Sequence, residues 1–224
     1  MTLAAIIDQL EALYGPVQQP VTRPFDIIVA ENASYLVDDA RRLQVFRRLK
    51  DEIGVEPEEI LEHKPKEIEA LIADGGMLPS HRAEKVMKAA RIAVKIGLDA
   101  IDRAIRTDVK EAKKLLKQFP GVGDPLADKI LLFGGTQISL APDSNGLRVL
   151  NRLGYGEENE KNYTKSYKSA VAATANEFRT AGKAQRAHLL LRHHGKELCR
   201  RSAPRCEACP LRKVCQWYQI HGSV

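Results

Sequence analysis

Residues 1–198 of this 224-residue chain contain no cysteine, which excludes a disulfide framework spread over the fold. No apolar run approaches the roughly 18 residues that a membrane span needs. Asp8 and Glu11 interrupt the N-terminal stretch where a signal peptide would be continuously apolar, so the chain is expected to stay in the cytoplasm. No segment alternates with period two, and there is neither an internal repeat nor a low-complexity tract, which removes most β architectures and solenoids. What is present is ordinary for a globular protein: 44% hydrophobic and 29% charged residues, enough for a packed core and too many apolar side chains for disorder. The length fits one large domain or two small ones. A net charge of +6 favours a polyanionic partner without identifying it.

The hydrophobic spacing is helical throughout. Leu3, Ile6, Ile7, Leu10, Leu13 and Tyr14 recur at three- and four-residue steps behind Thr2, a candidate N-cap. Pro16, Pro20 and Pro24 then mark an extended connector, with a second helix starting near Phe25. Val37, Ala40, Leu43, Phe46, Leu49 and Ile53 trace one face that ends at Gly54, and Pro57 and Pro65 open short helices over 57–63 and 65–73. Ser80 is expected to cap a helix reaching Gly97, and Thr107 one through Ala112, Leu115 and Leu116. The run from Ile130 to Phe133 continues the phase of Leu126 and Ala127 and reads as helix, stopping at Gly134 and Gly135. Further helices are expected over 144–153, 162–180 and 183–199, an all-α protein.

Three stretches carry chemistry. Phe119-Pro120-Gly121-Val122-Gly123 puts two glycines into a turn between helices, where the amides of Val122, Gly123 and the next helical turn can face an anion such as a phosphodiester. A tight corner that binds nothing is the other reading. Asp143, just before the 144–153 helix, is either an ordinary N-cap or a carboxylate placed to stabilise positive charge. Cys199, Cys206, Cys209 and Cys215 crowd into one tail segment and read as a ligand set, for a cubane iron–sulfur cluster or a zinc ion. Only Cys206 and Cys209 form the short pair typical of zinc knuckles, which favours the cluster. Arg200, Arg201, Arg205, Arg212 and Lys213 surround them, either to meet a DNA backbone or as solvated charges offsetting the thiolates. His193 and His194 are expected at the surface or bonded to backbone, and Trp217 in packing.

In this order, the hairpin from Leu115 to Ala127, the segment Asp143-Ser144-Asn145-Gly146-Leu147-Arg148 and the tail Cys199-x6-Cys206-x2-Cys209-x5-Cys215 resemble the endonuclease III-like helix-hairpin-helix superfamily of DNA base-excision glycosylases. The likeness covers roughly the C-terminal half. It implies a six-helix barrel domain with the hairpin, residues 28–137, and an iron–sulfur domain made of 1–27 and 138–224, with double-stranded DNA running across the groove between them. It also implies a [4Fe–4S] cluster on the four cysteines, DNA contacts from Gly121, Val122, Gly123, Arg200, Arg201 and Arg205, and a nucleoid-associated monomer that everts a damaged or mispaired base. Asp143 takes the catalytic role in this reading.

The chain departs from the family at several positions. The lysine that gives bifunctional members their lyase activity is replaced by Pro125, which has no amine, so hydrolysis without strand nicking is expected. Lys129 lies four residues on, along the same helix face. The segment that contacts the orphaned base in relatives corresponds to residues 29–34, placing Asn32, or by a slip of one residue Glu31, at that task. Leu78 aligns with the family's wedge side chain, beside Met77. Pro142, directly before Asp143, is also atypical. The alternatives are a DNA-binding protein of the same fold without catalysis, and a bifunctional enzyme using another lysine.

Overall fold

A computed structural model describes residues 1–134 and 137–222. The expected stop at Gly135 therefore lies outside the described residues. Among the described residues all regular structure is helical, as the spacing predicts, and the one extended pairing is an isolated bridge between Tyr35 and Gly76. No described helix is long and apolar enough to cross a membrane. The chain divides into two compact units, Pro20–Thr136 and, from both chain ends, Met1–Gln19 with Gln137–Val224.

The first unit holds α2 (Pro24–Ala33), α3 (Asp39–Ile53), α4 (Pro57–Glu62), α5 (Pro65–Leu71), α6 (Pro79–Ile96), α7 (Leu98–Thr107), α8 (Val109–Leu116) and α9 (Asp124–Phe133). Helix α6 is its centre and packs against α2, α4 and α5. Its inward face carries Ala83, Val86, Ala89, Ala90 and Ala93, all buried, and the small alanines let neighbouring helices approach closely. Helix α2 is buried on nearly all sides, which fits its continuous run Phe25, Ile27, Ile28, Val29 and Ala30.

The second unit consists of α1 (Leu3–Tyr14), α10 (Ser144–Leu153), α11 (Tyr163–Ala173), α12 (Ala181–Glu197) and α13 (Gln216–His221), with α10 and α1 packed on α12. Thr2 caps α1 as expected, its hydroxyl accepting from the Ala5 amide at 3.3 Å.

Several local expectations are corrected. Ser80 lies inside the first turn of α6, and the residue before that helix is Leu78, in the left-handed region at φ 55°. Thr107 closes α7 by donating its hydroxyl to the Arg103 carbonyl at 2.8 Å, while Asp108 caps α8 by accepting the Lys110 and Glu111 amides. The residues between Gly97 and Thr107 form a helix of their own, burying Ile101, Ala104 and Ile105. The helix expected over 162–180 stops at Ala173, because the buried Thr174 hydroxyl bonds back to Ala170 at 2.9 Å and Thr180 is needed to cap α12. On α3 the buried stripe is Val45, Phe46 and Leu49, with Ala40 exposed. Valine buries more apolar area than alanine, so the helix turns that side inward.

Candidate functional site

In the first unit, the turn between α8 and α9 adopts the glycine-dependent shape that its sequence demands. Gly121 has φ 76°, and Gly123 is extended and leads directly into α9 without a side-chain cap. Both glycines are exposed. Val122 is placed differently from the expectation: its side chain is buried and its amide donates to the Phe119 carbonyl at 3.2 Å. It is an anchor of the turn, so outward amides have to come from the glycines and the start of α9. Pro125 sits in that first turn, where its missing N–H costs nothing.

Asn32 is also turned inward. It is 6% exposed, and its amide donates to the carbonyls of Ile28 and Pro120, each at 2.9 Å. Through Nδ2 it ties α2 to the hairpin. Glu31 is paired too, with Arg42 and with Lys129 at 3.0 Å. The Lys129 ammonium is therefore held in an ion pair, with the side chain 12% exposed. Leu78, by contrast, is 63% exposed beside an exposed Met77.

In the second unit Asp143 caps α10. Its Oδ1 accepts the backbone amides of Asn145 at 3.0 Å and Gly146 at 2.8 Å, and its Oδ2 accepts from Arg192 Nε at 2.9 Å and from the Asn145 side chain at 3.4 Å. Burial by itself would raise this carboxyl's pKa. Arg192, the Gly146 amide, His188 and Asn145 outweigh it and hold the group below the usual carboxylate range. Arg192 comes from α12, forty-nine residues away, and no local motif announces it. His188 lies one turn earlier on α12, its Nδ1 donating to the Ala141 carbonyl at 2.6 Å. Pro142 is buried and leaves Asp143 in the extended backbone an N-cap requires.

The four cysteines converge. Cys199, Cys206, Cys209 and Cys215 line one pocket, together with Val149, Leu198 and Leu211. Helix α10 fastens the tail around it. Arg148 donates to the carbonyls of Gly195 and Cys199, at 2.7 and 2.8 Å, and Arg152 to that of Arg200 at 2.8 Å and to Cys199 Sγ at 3.3 Å. Trp217 packs as expected, its ring 4.6 Å from the Arg152 guanidinium. His194 is not at the surface: it is 1% exposed, with Nε2 3.5 Å from Cys209 Sγ and Nδ1 2.9 Å from Tyr14 Oη. Burial, and then His193, lowers its pKa to about 4, so it is neutral at physiological pH. Arg201 and Arg205 are exposed, whereas Arg200 is half-buried and Arg212 is paired with Glu207 at 2.7 Å.

This donor set suits a cluster. Burial pushes the thiols of Cys199, Cys206 and Cys209 up, the last to about 11, and their mutual closeness adds to it. Thiols raised in this way become thiolates only against a strongly cationic partner. Arg148 and Arg152 add donors and positive charge beside the sulfurs.

No protein-family model matches the chain. Among curated proteins it is 26% identical over 206 residues to endonuclease III of Thermotoga maritima, covering 90% of this chain and 86% of that one. It is 27% identical over 162 residues to the thymine/uracil-DNA glycosylase of Methanothermobacter thermautotrophicus, covering 72% and 68%. A solved non-covalent endonuclease III–DNA complex superposes with a TM-score of 0.73 at 21% identity, over 98% of both chains. In sequence the chain is thus similar to endonuclease III and to a thymine/uracil-DNA glycosylase, and it shares the helical fold of the solved endonuclease III complex.

Proposed function

We propose that this protein is a monofunctional DNA glycosylase of base excision repair, acting as a monomer on duplex DNA and hydrolysing the N-glycosidic bond of an everted base with Asp143. The observation that carries the reading is the Asp143 carboxylate, kept ionised at the start of α10 by two backbone amides and Arg192. As the bond between C1′ and the base nitrogen stretches, electrons leave with the base and positive charge grows on the sugar. A fixed carboxylate stabilises that charge without having to reorganise. Its depressed pKa makes it a poor proton acceptor, so its role is electrostatic: water adds to C1′ and its proton passes to the departing base or to solvent.

The absence of a covalent route has two supports. Pro125 supplies no amine at the hairpin position, and the Lys129 ammonium is engaged by Glu31. Backbone phosphates are taken by the exposed Gly121 and Gly123 turn and by Arg201 and Arg205. Cys199, Cys206, Cys209 and Cys215 hold a [4Fe–4S] cluster, which when bound supplies the counter-charge that orders the tail. The domain division is proposed as 28–137 against both chain ends.

The test is a panel of duplexes, each with one damaged or mispaired base, incubated with wild-type protein and Asp143→Asn. Strand breaks that arise only after alkali, and that vanish with the variant, are expected. Prompt nicking or a borohydride-trapped adduct would establish a lyase, and an unaltered variant would leave a DNA-binding protein without Asp143-dependent excision.

A further inference from the structure

A chain of hydrogen bonds runs from the first helix of the second unit to one of its cysteines. Leu3, Ile6, Ile7 and Leu10 form the buried stripe of α1, and Tyr14, four residues beyond Leu10, continues it against α12. A tyrosine in that register brings a hydroxyl into an apolar seam. Its Oη lies 2.9 Å from His194 Nδ1, and its ring meets His193 edge to face, with centroids 4.6 Å apart. On the other side of the same imidazole, Nε2 lies 3.5 Å from Cys209 Sγ. His194 is 1% exposed, so both ring nitrogens find their partners inside the protein. Its backbone carbonyl accepts the Cys199 amide at 2.9 Å, and one residue thus touches two of the four cysteines. Gly195 beside it lets α12 come this close to α10, since a Cβ there would fall 2.6 Å from the Asn145 carbonyl oxygen.

Proton accounting fixes the direction of the chain. A cysteine that ligates iron is a thiolate, which accepts hydrogen bonds and donates none. Nε2 must then carry the imidazole proton. A neutral imidazole has one N–H, so Nδ1 is an acceptor and the Tyr14 hydroxyl donates to it. Without that hydroxyl the tautomer loses its lock. An N–H···S bond draws negative charge off the sulfur, and the reduced state of a cluster, being the more anionic, gains most from it. Resting on the cluster reading above, we infer that Tyr14 and His194 form a chain of fixed hydrogen bonds, Oη–H to Nδ1 and Nε2–H to Cys209 Sγ, that raises the reduction potential of the cluster. His194 is a positioning residue for the Cys209 ligand, and Tyr14 fixes its tautomer.

The experiment uses the full chain isolated with its cluster, iron and sulfide being determined first. Protein-film voltammetry then reads the one-electron midpoint: the electron comes from the electrode, and no covalent bond forms or breaks. Tyr14→Phe keeps the ring against His193 and alters no cysteine, so its iron content should equal that of the wild type while the reduction equilibrium falls roughly threefold. His194→Leu removes the N–H altogether and should lower that equilibrium about tenfold, a midpoint about 59 mV more negative. His194→Gln offers an amide N–H near the place of Nε2 and should recover roughly half of the shift or more. A wild-type midpoint in Tyr14→Phe would overturn the chain, whether or not His194→Leu retains its cluster. Equal shifts in His194→Leu and His194→Gln would trace the effect to packing and overturn it as well. Wild-type protein without iron and sulfide would overturn the cluster reading and this inference together, while excision of bases by that protein would leave the glycosylase reading standing.

Discussion

Helices α9 and α10 begin with the same physical problem and solve it in opposite ways. Each presents unpaired backbone amides and a positive dipole end at its first turn. Helix α10 brings its own anion, Asp143, whose Oδ1 takes two of those amides. Helix α9 has no side-chain cap: Gly123 enters it in extended form, Pro125 removes one N–H, and Asp124 is directed to Lys117. One start is closed by its own carboxylate, the other has no side-chain cap. The contrast shows that a shared backbone feature takes its role from one or two side chains at the boundary.

The largest effect should come from breaking the closed start. Asp143→Asn keeps a good N-cap and removes the charge, so excision should fall by roughly two to three orders of magnitude while the melting temperature moves little. A single-turnover excision assay with a thermal melt separates the two. Next comes the support of the open start. Asn32→Leu deprives the Pro120 carbonyl of its donor and should cost about 1–3 kcal/mol in stability, read by urea denaturation, and weaken binding to undamaged duplex. Gly121→Ala imposes a side chain at φ 76°, with its Cβ 3.3 Å from Asn32 Oδ1, and should cost about 1 kcal/mol. Its duplex affinity should fall in parallel.

The subtlest comparison is in pH. Asp143 titrates below the ordinary carboxylate range, so its ionic contribution to stability is complete above the unfolded value of about 3.9 and is lost as pH falls through the folded value. Excision should therefore show no acid limb from this group near neutrality. Arg192→Gln removes the charge that most strongly opposes burial, and the acid limb should then move upward in a rate profile measured from acid to neutral pH. Retention of the wild-type profile by this variant would show that the two backbone amides suffice to hold the charge.

Legibility differed among the elements for identifiable reasons. Helix α1 and its Thr2 cap followed from spacing and cap chemistry, as did the start of α10 behind Asp143, because these are interactions within four residues. The cap of α8 was misassigned because Thr107 and Asp108 are adjacent and both suited to the task. What separates them is that α7 ends on Thr107. The Val122 amide donates to Phe119, three residues back in the same turn, whereas the Asn32 side-chain amide donates to Pro120, a partner that only the folded chain brings near.

By itself the sequence determined an all-helical chain, the glycine corner, a carboxylate at the head of a helix and four thiols gathered in one tail. Periodicity, permitted φ values and local capping are properties of neighbouring residues. Only the tertiary structure decided that Arg192 holds Asp143, that His194 is buried against Cys209 and that Glu31 occupies Lys129. Those contacts join segments up to about a hundred residues apart, and their geometry is set by the packing of whole helices, which no local pattern encodes.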